Sequence, residues 1–395
     1  MALKDNASLA LIPAAYKTSK VYSAIPTNGD GDFTFSRSGT GATRINKAGL
    51  VETMGTNVPR LNYDLTNGTP ASCPSLLLEP TRTNNLLRSE EFDNSVWTKF
   101  SAGTGTNPVA TANYTTSPDG SNNADRVIFD KGSGTGGSDL SQMRQVVTDV
   151  GQGVSSVYIK SNTSESYTMG IDPVGNATLI TVTPEWQRFT YSETTNDRLS
   201  IGLRGSQTSN FADVSVWGAQ MEAGTYATSY IPTTTAAVTS TADNAHLLNQ
   251  NLITDYPFTA YANAKIDAVG NTIFSLNNTS NQNYYLAFYF PNSTQIGLLR
   301  RDLSNSDSDF YNFSYSVGDT IKVAVAFISA TAYKLYINGT EIADVTSGAS
   351  IPFNHDDITL GQFRITGDTG TRNRVDEFML FNEALTDAEL QTLTT

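Results

Sequence analysis

Cysteine, histidine and charged residues are scarce in this 395-residue chain. The single cysteine, Cys73, excludes an intrachain disulfide and a zinc site made of thiolates, and only His246 and His355 can supply an imidazole. Charged residues make up 16% of the chain, below the ~25% that is typical of globular domains. Long apolar runs are also missing, since none approaches the ~20 residues that a membrane span needs. We therefore expect no membrane insertion.

Positively charged residues are also fewer than negatively charged ones in this chain. The 25 lysines and arginines against 38 aspartates and glutamates give a formal net charge of −13. Such a charge repels phosphate backbones, so nucleic-acid binding would need a local basic patch. The densest basic clusters, Arg300 with Arg301 and Arg372 with Arg374, are each followed by acidic residues. The sequence thus predicts no nucleic-acid partner and favours recognition by stacking and neutral hydrogen bonds.

Threonine, serine, asparagine and glycine are plentiful instead, and they favour strands and turns over helices. We predict a mostly β protein, in which an irregular N-terminal docking region precedes two antiparallel β-sandwich (jelly-roll) domains. The predicted boundaries are an N-terminal attachment region at 1–85, a jelly roll at 86–232, a linker at 233–242 and a second jelly roll at 243–395. The first 72 residues have too little apolar content for a core of their own. We expect them to be ordered by packing on their own domain, a sister chain or a larger assembly.

The clearest strand patterns lie in the last predicted domain. Apolar side chains recur at every second position along 284–290, 321–327 and 333–337, as they do in strands with one face in a core. An Asn-Gly pair at 338–339 then predicts a tight hairpin turn. Near the end of the chain, Thr386 with a glutamate three residues later predicts a capped helix.

Five phrases in the first hundred residues resemble a module that opens many tail-fibre and head-fibre type virion proteins of tailed bacteriophages. The phrases are 29–37 (GDGDFTFSR), 42–46 (ATRIN), 59–63 (PRLNY), 73–80 (CPSLLLEP) and 92–99 (FDNSVWTK). The resemblance implies a virion surface component that is assembled in the host bacterial cytoplasm. It also implies other virion proteins as partners and a homotrimer as the state common in such fibres. A resemblance of this kind supplies no activity by itself.

Two further resemblances concern the predicted jelly rolls. The phrase 217–232 (WGAQMEAGTYATSYIP) is similar to the end of a carbohydrate-binding-module-like jelly roll in phage fibre proteins. The phrases 333–339 (YKLYING), 358–361 (ITLG) and 374–390 (RVDEFMLFNEALTDAEL) resemble the laminin-G-like branch of the concanavalin A-like jelly rolls. That family implies two curved antiparallel sheets that commonly bind glycans or proteins and often carry no catalysis.

Catalytic and metal-binding patterns are weak. Glu91 and Asp93 come closest to the alternating acidic motif that a glycosidase would place on a strand. Neither histidine lies near a recognisable nucleophile motif. We therefore predict that the protein has no catalytic residues and that both histidines lie on the surface. The oxygen-rich stretches 30–32 (DGD) and 304–309 (SNSDSD) could coordinate calcium but lack the glycine and distal glutamate of a calcium loop. We predict polar turns and no cofactor there, while the laminin-G-like resemblance keeps calcium open in the last domain.

Outward-facing aromatic rings are the feature that glycan binding requires, because sugar C–H patches stack on them. The predicted carbohydrate-binding residues are Tyr285, Tyr289, Tyr311 and Tyr336. The alternative for each tyrosine is a contact between subunits or domains, or simply a position that covers a curved sheet. The three tryptophans, at positions 97, 186 and 217, are predicted to be core anchors.

The sequence therefore predicts a bacteriophage virion structural protein, a fibre, spike or decoration subunit, that presents β-sandwich domains for adhesion to host-surface glycan and is not an enzyme. A purely structural decoration protein without sugar binding is one alternative. A polysaccharide depolymerase is a second alternative, which the sequence favours less.

Overall fold

The computed structural model describes residues 3–172, 178–248, 251–281, 283–303, 306–350, 353–362 and 372–395. Strand accounts for 49% of the described residues and helix for 4%, which confirms the mostly β prediction. No helix in these described ranges is long and apolar enough to cross a membrane.

Short strands follow one another along the chain, and an α-helix ends it. The first part of the chain contains β1 (Leu9–Leu11), β2 (Tyr16–Lys17), β3 (Lys20–Val21), β4 (Phe33–Ser36), β5 (Thr43–Ile45), β6 (Val51–Thr53), β7 (Arg60–Asn62), β8 (Leu65–Thr66), β9 (Thr69–Pro70), β10 (Ser75–Leu78) and β11 (Arg82–Asn84). The middle part contains β12 (Thr98–Ala102), β13 (Thr106–Thr115), β14 (Ala124–Asp130), β15 (Leu140–Val146), β16 (Gly153–Ser161), β17 (Tyr167–Ile171), β18 (Thr178–Val182), β19 (Gln187–Glu193), β20 (Arg198–Arg204) and β21 (Phe211–Ala223). The last part contains β22 (Val238–Ser240), β23 (Asn244–Leu248), β24 (Phe258–Ile266), β25 (Thr272–Asn277), β26 (Tyr285–Asn292), β27 (Gln295–Arg301), β28 (Ser306–Asn312), β29 (Thr320–Phe327), β30 (Tyr333–Ile337), β31 (Thr340–Val345), β32 (Asp357–Leu360), β33 (Asn373–Phe381) and α1 (Asp387–Thr394).

The C-terminal sandwich consists of two antiparallel sheets. Sheet I has the order β31-β30-β29-β24-β33-β10-β7, with β1 also paired to β33, and sheet II has the order β2-β3-β4-β23-β32-β25-β26-β27-β28. Apolar residues from the inner faces of both sheets meet in one core. In that core the rings of Phe33 and Phe378 lie edge to face at 6.2 Å.

Strands from the N-terminal region complete both of these sheets. The β1 residues Leu9–Leu11 pair with the C-terminal half of β33, and Leu76–Leu78 pair with its N-terminal half. In sheet II, β4 pairs with β23 and brings Phe33 and Phe35 into the core. These segments lie within the predicted attachment region 1–85. The apolar content that is too small for a separate core is instead buried in the C-terminal sandwich.

The middle sandwich is formed by ten strands, β12 to β21, which within the described residues pair only with one another. Its two sheets have the orders β12-β15-β20-β17-β18 and β13-β14-β21-β16-β19. A separate core between them contains Trp97, Phe129, Met169, Ile201 and Val214. The predicted jelly roll at 86–232 thus has its own sheets and its own core. The segment predicted as a linker contains β22, which pairs with β11.

A buried ionic cluster, the junction network, joins the parts of the chain. It consists of Arg37, Arg60, Glu79, Asp243 and Arg372. Arg60 Nη1 lies 2.6 Å from Glu79 Oε2, and the other terminal nitrogen of Arg60 binds Asp243. Arg37 Nη1 lies 3.3 Å from the second oxygen of Asp243.

The same network reaches the middle sandwich and β33. Ser229, just after the middle sandwich, donates its N–H to Glu79 over 2.9 Å, and Arg372, just before β33, lies 3.1 Å from Glu79. Burial alone raises the pKa of Glu79, but the Arg60 and Arg372 guanidiniums outweigh it and hold the pKa at about 2. Glu79 therefore stays ionised at neutral pH.

The hairpin and helix predictions near the C-terminus are confirmed. Asn338 and Gly339 both have positive φ, at 47° and 77°, and connect the paired strands β30 and β31. Thr386 caps α1 through a capping box with Glu389. Leu390 and Leu393 of this helix pack on the outer face of sheet I.

A fragment of residues 243–395 is expected not to fold by itself. It lacks the N-terminal strands, which contribute eight buried apolar side chains to the core: Leu9, Leu11, Val21, Phe33, Phe35, Leu61, Leu76 and Leu78. At about 1.5 kcal/mol or more each, their loss removes on the order of 10 kcal/mol, as much as a typical domain's whole stability. Amide NMR spectra would test this, with fragment 86–232 as the control that should fold. Well-dispersed spectra from fragment 243–395 would contradict the expectation.

The substitution Asp243→Asn is expected to lower the unfolding free energy by about 3–5 kcal/mol, because it removes the carboxylate that the buried Arg37 contacts and one of the two that the buried Arg60 contacts. Urea-induced unfolding of the full chain measures the effect. The matched control is Glu91→Gln, which breaks an exposed pair with Arg88 and should cost less than about 1 kcal/mol. Equal losses in the two variants would argue against a special role for the junction network.

Candidate functional site

The outer face of sheet II carries a small group of aromatic rings, which we call the sheet II aromatic face. It consists of Tyr285 and Tyr289 on β26 and Phe310 on β28. The alternate β26 residues Leu286, Phe288 and Phe290 point into the sandwich core, so the two tyrosines must point away from it. Gly297 on β27 is the cross-strand partner of both Tyr289 on β26 and Phe310 on β28. The three residues therefore form one row across the sheet.

Gly297 and Phe310 fix the position of the Tyr289 ring. A Cβ atom at position 297 would lie 2.2 Å from the Tyr289 ring, so the ring lies directly over this glycine. The Phe310 ring stands edge to face to it, with centroids 6.1 Å apart. Phe310 is 47% exposed. Burial, reinforced by Tyr285, raises the pKa of Tyr289, so its hydroxyl remains protonated at neutral pH.

A polar row on the same face of sheet II adjoins the aromatic rings. The Nδ1 atom of His246 lies 2.9 Å from Asp357, and Thr359 donates to the other oxygen of that carboxylate over 3.0 Å. The amide of Asn277 donates to Thr359 over 3.2 Å and to Ser275 over 2.9 Å. This network fixes the orientation of its amide and hydroxyl groups. The other four members of this network are buried, and the half-buried His246 is the one that keeps accessible surface.

The structure brings together only two of the four predicted tyrosines. Tyr285 and Tyr289 lie on the outer face of sheet II, as their alternation predicted. Tyr311 lies on the opposite face of that sheet, where its hydroxyl oxygen is 2.5 Å from that of Tyr333. Tyr336 lies in sheet I, is only 5% exposed beneath α1 and donates to Glu341 over 2.7 Å. Tyr311 and Tyr336 therefore lack the exposed, outward position that was expected of carbohydrate-binding residues.

Phe310 is the aromatic residue that the sequence prediction missed. The weak signal for it is the alternation in β28, where serines 306 and 308 share its outward face. Among the tryptophans, the core prediction is confirmed for Trp97 and Trp217, which are each 1% exposed. It is wrong for Trp186, which is half-buried at the turn before β19.

The surface position predicted for both histidines is wrong for His355. His355 is 5% exposed, with the Phe353 ring edge to face at 5.3 Å. Burial lowers the pKa of His355 to about 4, although Asp356 acts in the opposite direction. His246 is half-buried against Asp357, whose side chain is fully buried.

The acidic stretches considered for metal binding or catalysis are engaged within the protein. In the turn at 30–32, Asp32 accepts from the Ser23 N–H over 3.0 Å. In β28, Asp307 and Asp309 both face Arg300, while positions 304 and 305 lie outside the described residues. Glu91 binds Arg88 on the surface. Across the ranges that the structure describes, no group of three or more His, Cys, Asp or Glu side chains is placed to hold a metal ion.

Residues 239–391 match the family model of the concanavalin A-like lectin/glucanases superfamily. This match covers less than half of the chain, and it coincides with the strands of the C-terminal sandwich. It agrees with the two-sheet β-sandwich that the structure shows in this part of the protein. The N-terminal strands that complete the sandwich lie outside the matched residues.

The chain is also similar to parts of known glycan-associated proteins. Sialidase B of Streptococcus pneumoniae is 26% identical over 137 residues, which is 31% of this chain but only 20% of that protein. The CBM40 of the Ruminococcus gnavus IT-sialidase, solved with α2,3-sialyllactose, has 18% identity and a TM-score of 0.32, over 36% of this chain and 84% of that one. Domain 4 of the Geobacillus stearothermophilus arabinanase AbnA, solved with arabinotriose, has 16% identity and a TM-score of 0.32, over 39% and 73% of the two chains. These ligands are those of the neighbouring proteins.

Acidification is expected to destabilise the protein through His355. Its pKa is about 4 in the folded chain against 6.5 ordinarily, so the unfolded chain binds the proton more readily. The stability that neutral His355 provides is present above pH ~6.5 and is lost as pH falls toward ~4, by roughly 3 kcal/mol in total. Urea-induced unfolding across this pH range would measure the slope. The His355→Gln variant should show a shallower slope, and identical slopes would contradict this assignment.

Proposed function

We propose that this chain is a structural protein on the surface of a tailed-bacteriophage virion and that it binds host-surface glycan through its β-sandwiches. The phage assignment is supported by the five N-terminal phrases. The glycan assignment is supported by the lectin-superfamily match at 239–391 and by the sheet II aromatic face. The protein would act by adhesion, without catalysis, as a fibre, spike or decoration subunit.

The observation that carries the glycan proposal is the contact between Tyr289 and Phe310 on the outer face of sheet II. An exposed ring held in place by a second ring offers a flat apolar surface at small entropic cost. Sugar rings can stack on such a surface while their hydroxyls reach neighbouring polar groups. A protein with a net charge of −13 gains no attraction to anionic surfaces at long range, so contact surfaces of this kind must supply the affinity.

Attachment to other virion proteins would use the exposed surface of residues 1–85. Strands β1, β4 and β10 are already paired within the C-terminal sandwich. Side chains that remain exposed in this region include Ile12 at 42% and Leu65 at 45%. We propose the homotrimer common among phage fibres as the assembled state.

Glycan-array binding by the full chain tests the adhesion function. We expect at least one oligosaccharide to bind, and its binding should fall about tenfold or more in the double variant Tyr289→Ala/Phe310→Ala, because stacking contributes about 0.5–1.5 kcal/mol per aromatic contact. Phe211→Ala is the matched control, since Phe211 is 46% exposed on the middle sandwich. An empty array would favour a purely structural decoration protein. Release of reducing sugar from host polysaccharide would instead favour a depolymerase.

A further inference from the structure

A groove of about 730 Å³ lies where the N-terminal hairpins, the middle sandwich and the segment before β33 meet. The hairpins β5–β6 and β8–β9 line one side, Tyr158 and Trp186 of the middle sandwich line another, and Arg372 lies at the third. Its size falls in the range of ~300–1,000 Å³ that is usual for ligand sites. It is separate from the sheet II aromatic face, and the proposed adhesion through that face leaves it without a role.

Trp186 forms a fixed aromatic wall in this groove. Its indole N–H donates to the Thr116 carbonyl over 3.1 Å, and the Lys160 ammonium lies 5.4 Å from the ring centroid. Trp186 is half-buried, whereas Trp97 and Trp217 are each 1% exposed. A large ring that keeps accessible surface in a cavity and is held by a hydrogen bond is prepared for stacking.

Tyr158 and Arg188 extend this wall. The Tyr158 ring lies between the Trp217 ring, at 5.5 Å, and the Arg188 guanidinium, also at 5.5 Å. Arg188 donates to two neutral oxygens, the Thr228 carbonyl over 2.7 Å and the Ser156 hydroxyl over 2.9 Å. Its Nε–H is buried without a hydrogen-bond partner. Arg188 also interacts electrostatically with the buried carboxylate of Glu222.

The chemistry of the lining favours an oligosaccharide over the other ligand classes. Aromatic rings can stack on sugar C–H faces, an arginine guanidinium can donate to hydroxyl or carboxylate oxygens, and the exposed carboxylate of Glu185 can accept from hydroxyls. Three of the lining arginines, Arg44, Arg372 and Arg374, are each paired with a carboxylate of the protein, so they offer little free positive charge to the phosphates of a nucleic acid. An apolar lipid tail would leave the charged groups without partners.

We infer that this groove is a second carbohydrate-binding site, which holds a short oligosaccharide segment against Trp186. The inference deepens the proposed glycan adhesion and rests on it. It also gives the N-terminal hairpins a part in binding, because Thr43, Ile45 and Tyr63 of the phage-like phrases line the groove.

Tryptophan fluorescence of the full chain tests this inference, since Trp186 is half-buried while the other two tryptophans are in cores and the sheet II aromatic face has none. The probes are maltohexaose, chitohexaose and a hexamer of galacturonic acid, which represent neutral, N-acetylated and acidic chains. At least one of them is expected to shift the emission and to reduce acrylamide quenching. The Trp186→Phe variant should lose that response, and Trp186→Ala should lower the affinity measured by calorimetry about tenfold.

The variant Tyr289→Ala/Phe310→Ala separates this site from the sheet II aromatic face. It should retain the full fluorescence response, because its two substitutions lie outside the groove. Thermal unfolding of both Trp186 variants checks that they remain folded. No response to any probe, or a response that persists in folded Trp186→Phe, would overturn the groove site. The groove site would also be overturned if glycan-array binding were lost in the Tyr289→Ala/Phe310→Ala variant but unchanged in the Trp186 variants. That result would leave the proposed adhesion through the sheet II aromatic face intact.

Discussion

The buried ionic cluster of Arg37, Arg60, Glu79, Asp243 and Arg372 is the constraint on which the arrangement of this protein depends. A buried charge is costly unless its partners surround it with good geometry. Three members of the cluster come from residues 1–85, and the other two come just before strands β23 and β33 of the C-terminal sandwich. Because Glu79 also accepts from Ser229, the cluster fixes the end of the middle sandwich to the other parts.

This constraint explains why the N-terminal region is not a separate appendage. Glu79 follows β10 directly, so the position of the carboxylate in the cluster and the pairing of Leu76–Leu78 with β33 reinforce each other. Asp243 likewise precedes β23, whose edge receives β4. A lectin-type sandwich is therefore completed by strands that are more than 150 residues away in sequence. The superfamily match at 239–391 includes the scaffold but not these completing strands.

The two aromatic surfaces have different origins. The sheet II aromatic face lies within a single sheet, where the absence of a side chain at Gly297 leaves room for the Tyr289 ring. The groove exists only because three parts of the chain are held together, and its wall contains a hydrogen-bonded tryptophan. Both surfaces suit a ligand that is recognised by stacking at short range. This agrees with a chain of net charge −13 and few concentrated positive charges.

The sequence by itself determined the local features of this protein. Strand alternation in 284–290, the Asn-Gly turn at 338–339 and the capping box at Thr386 depend on neighbouring residues, and each was predicted. Only the tertiary structure decided which distant strands pair and which outward rings stay exposed. Tyr336 alternates outward like Tyr289, yet α1 covers it, while Trp186 looks like a core residue and lines a groove. Alternation specifies a face of a strand, but what covers that face is set by contacts between segments far apart in the chain.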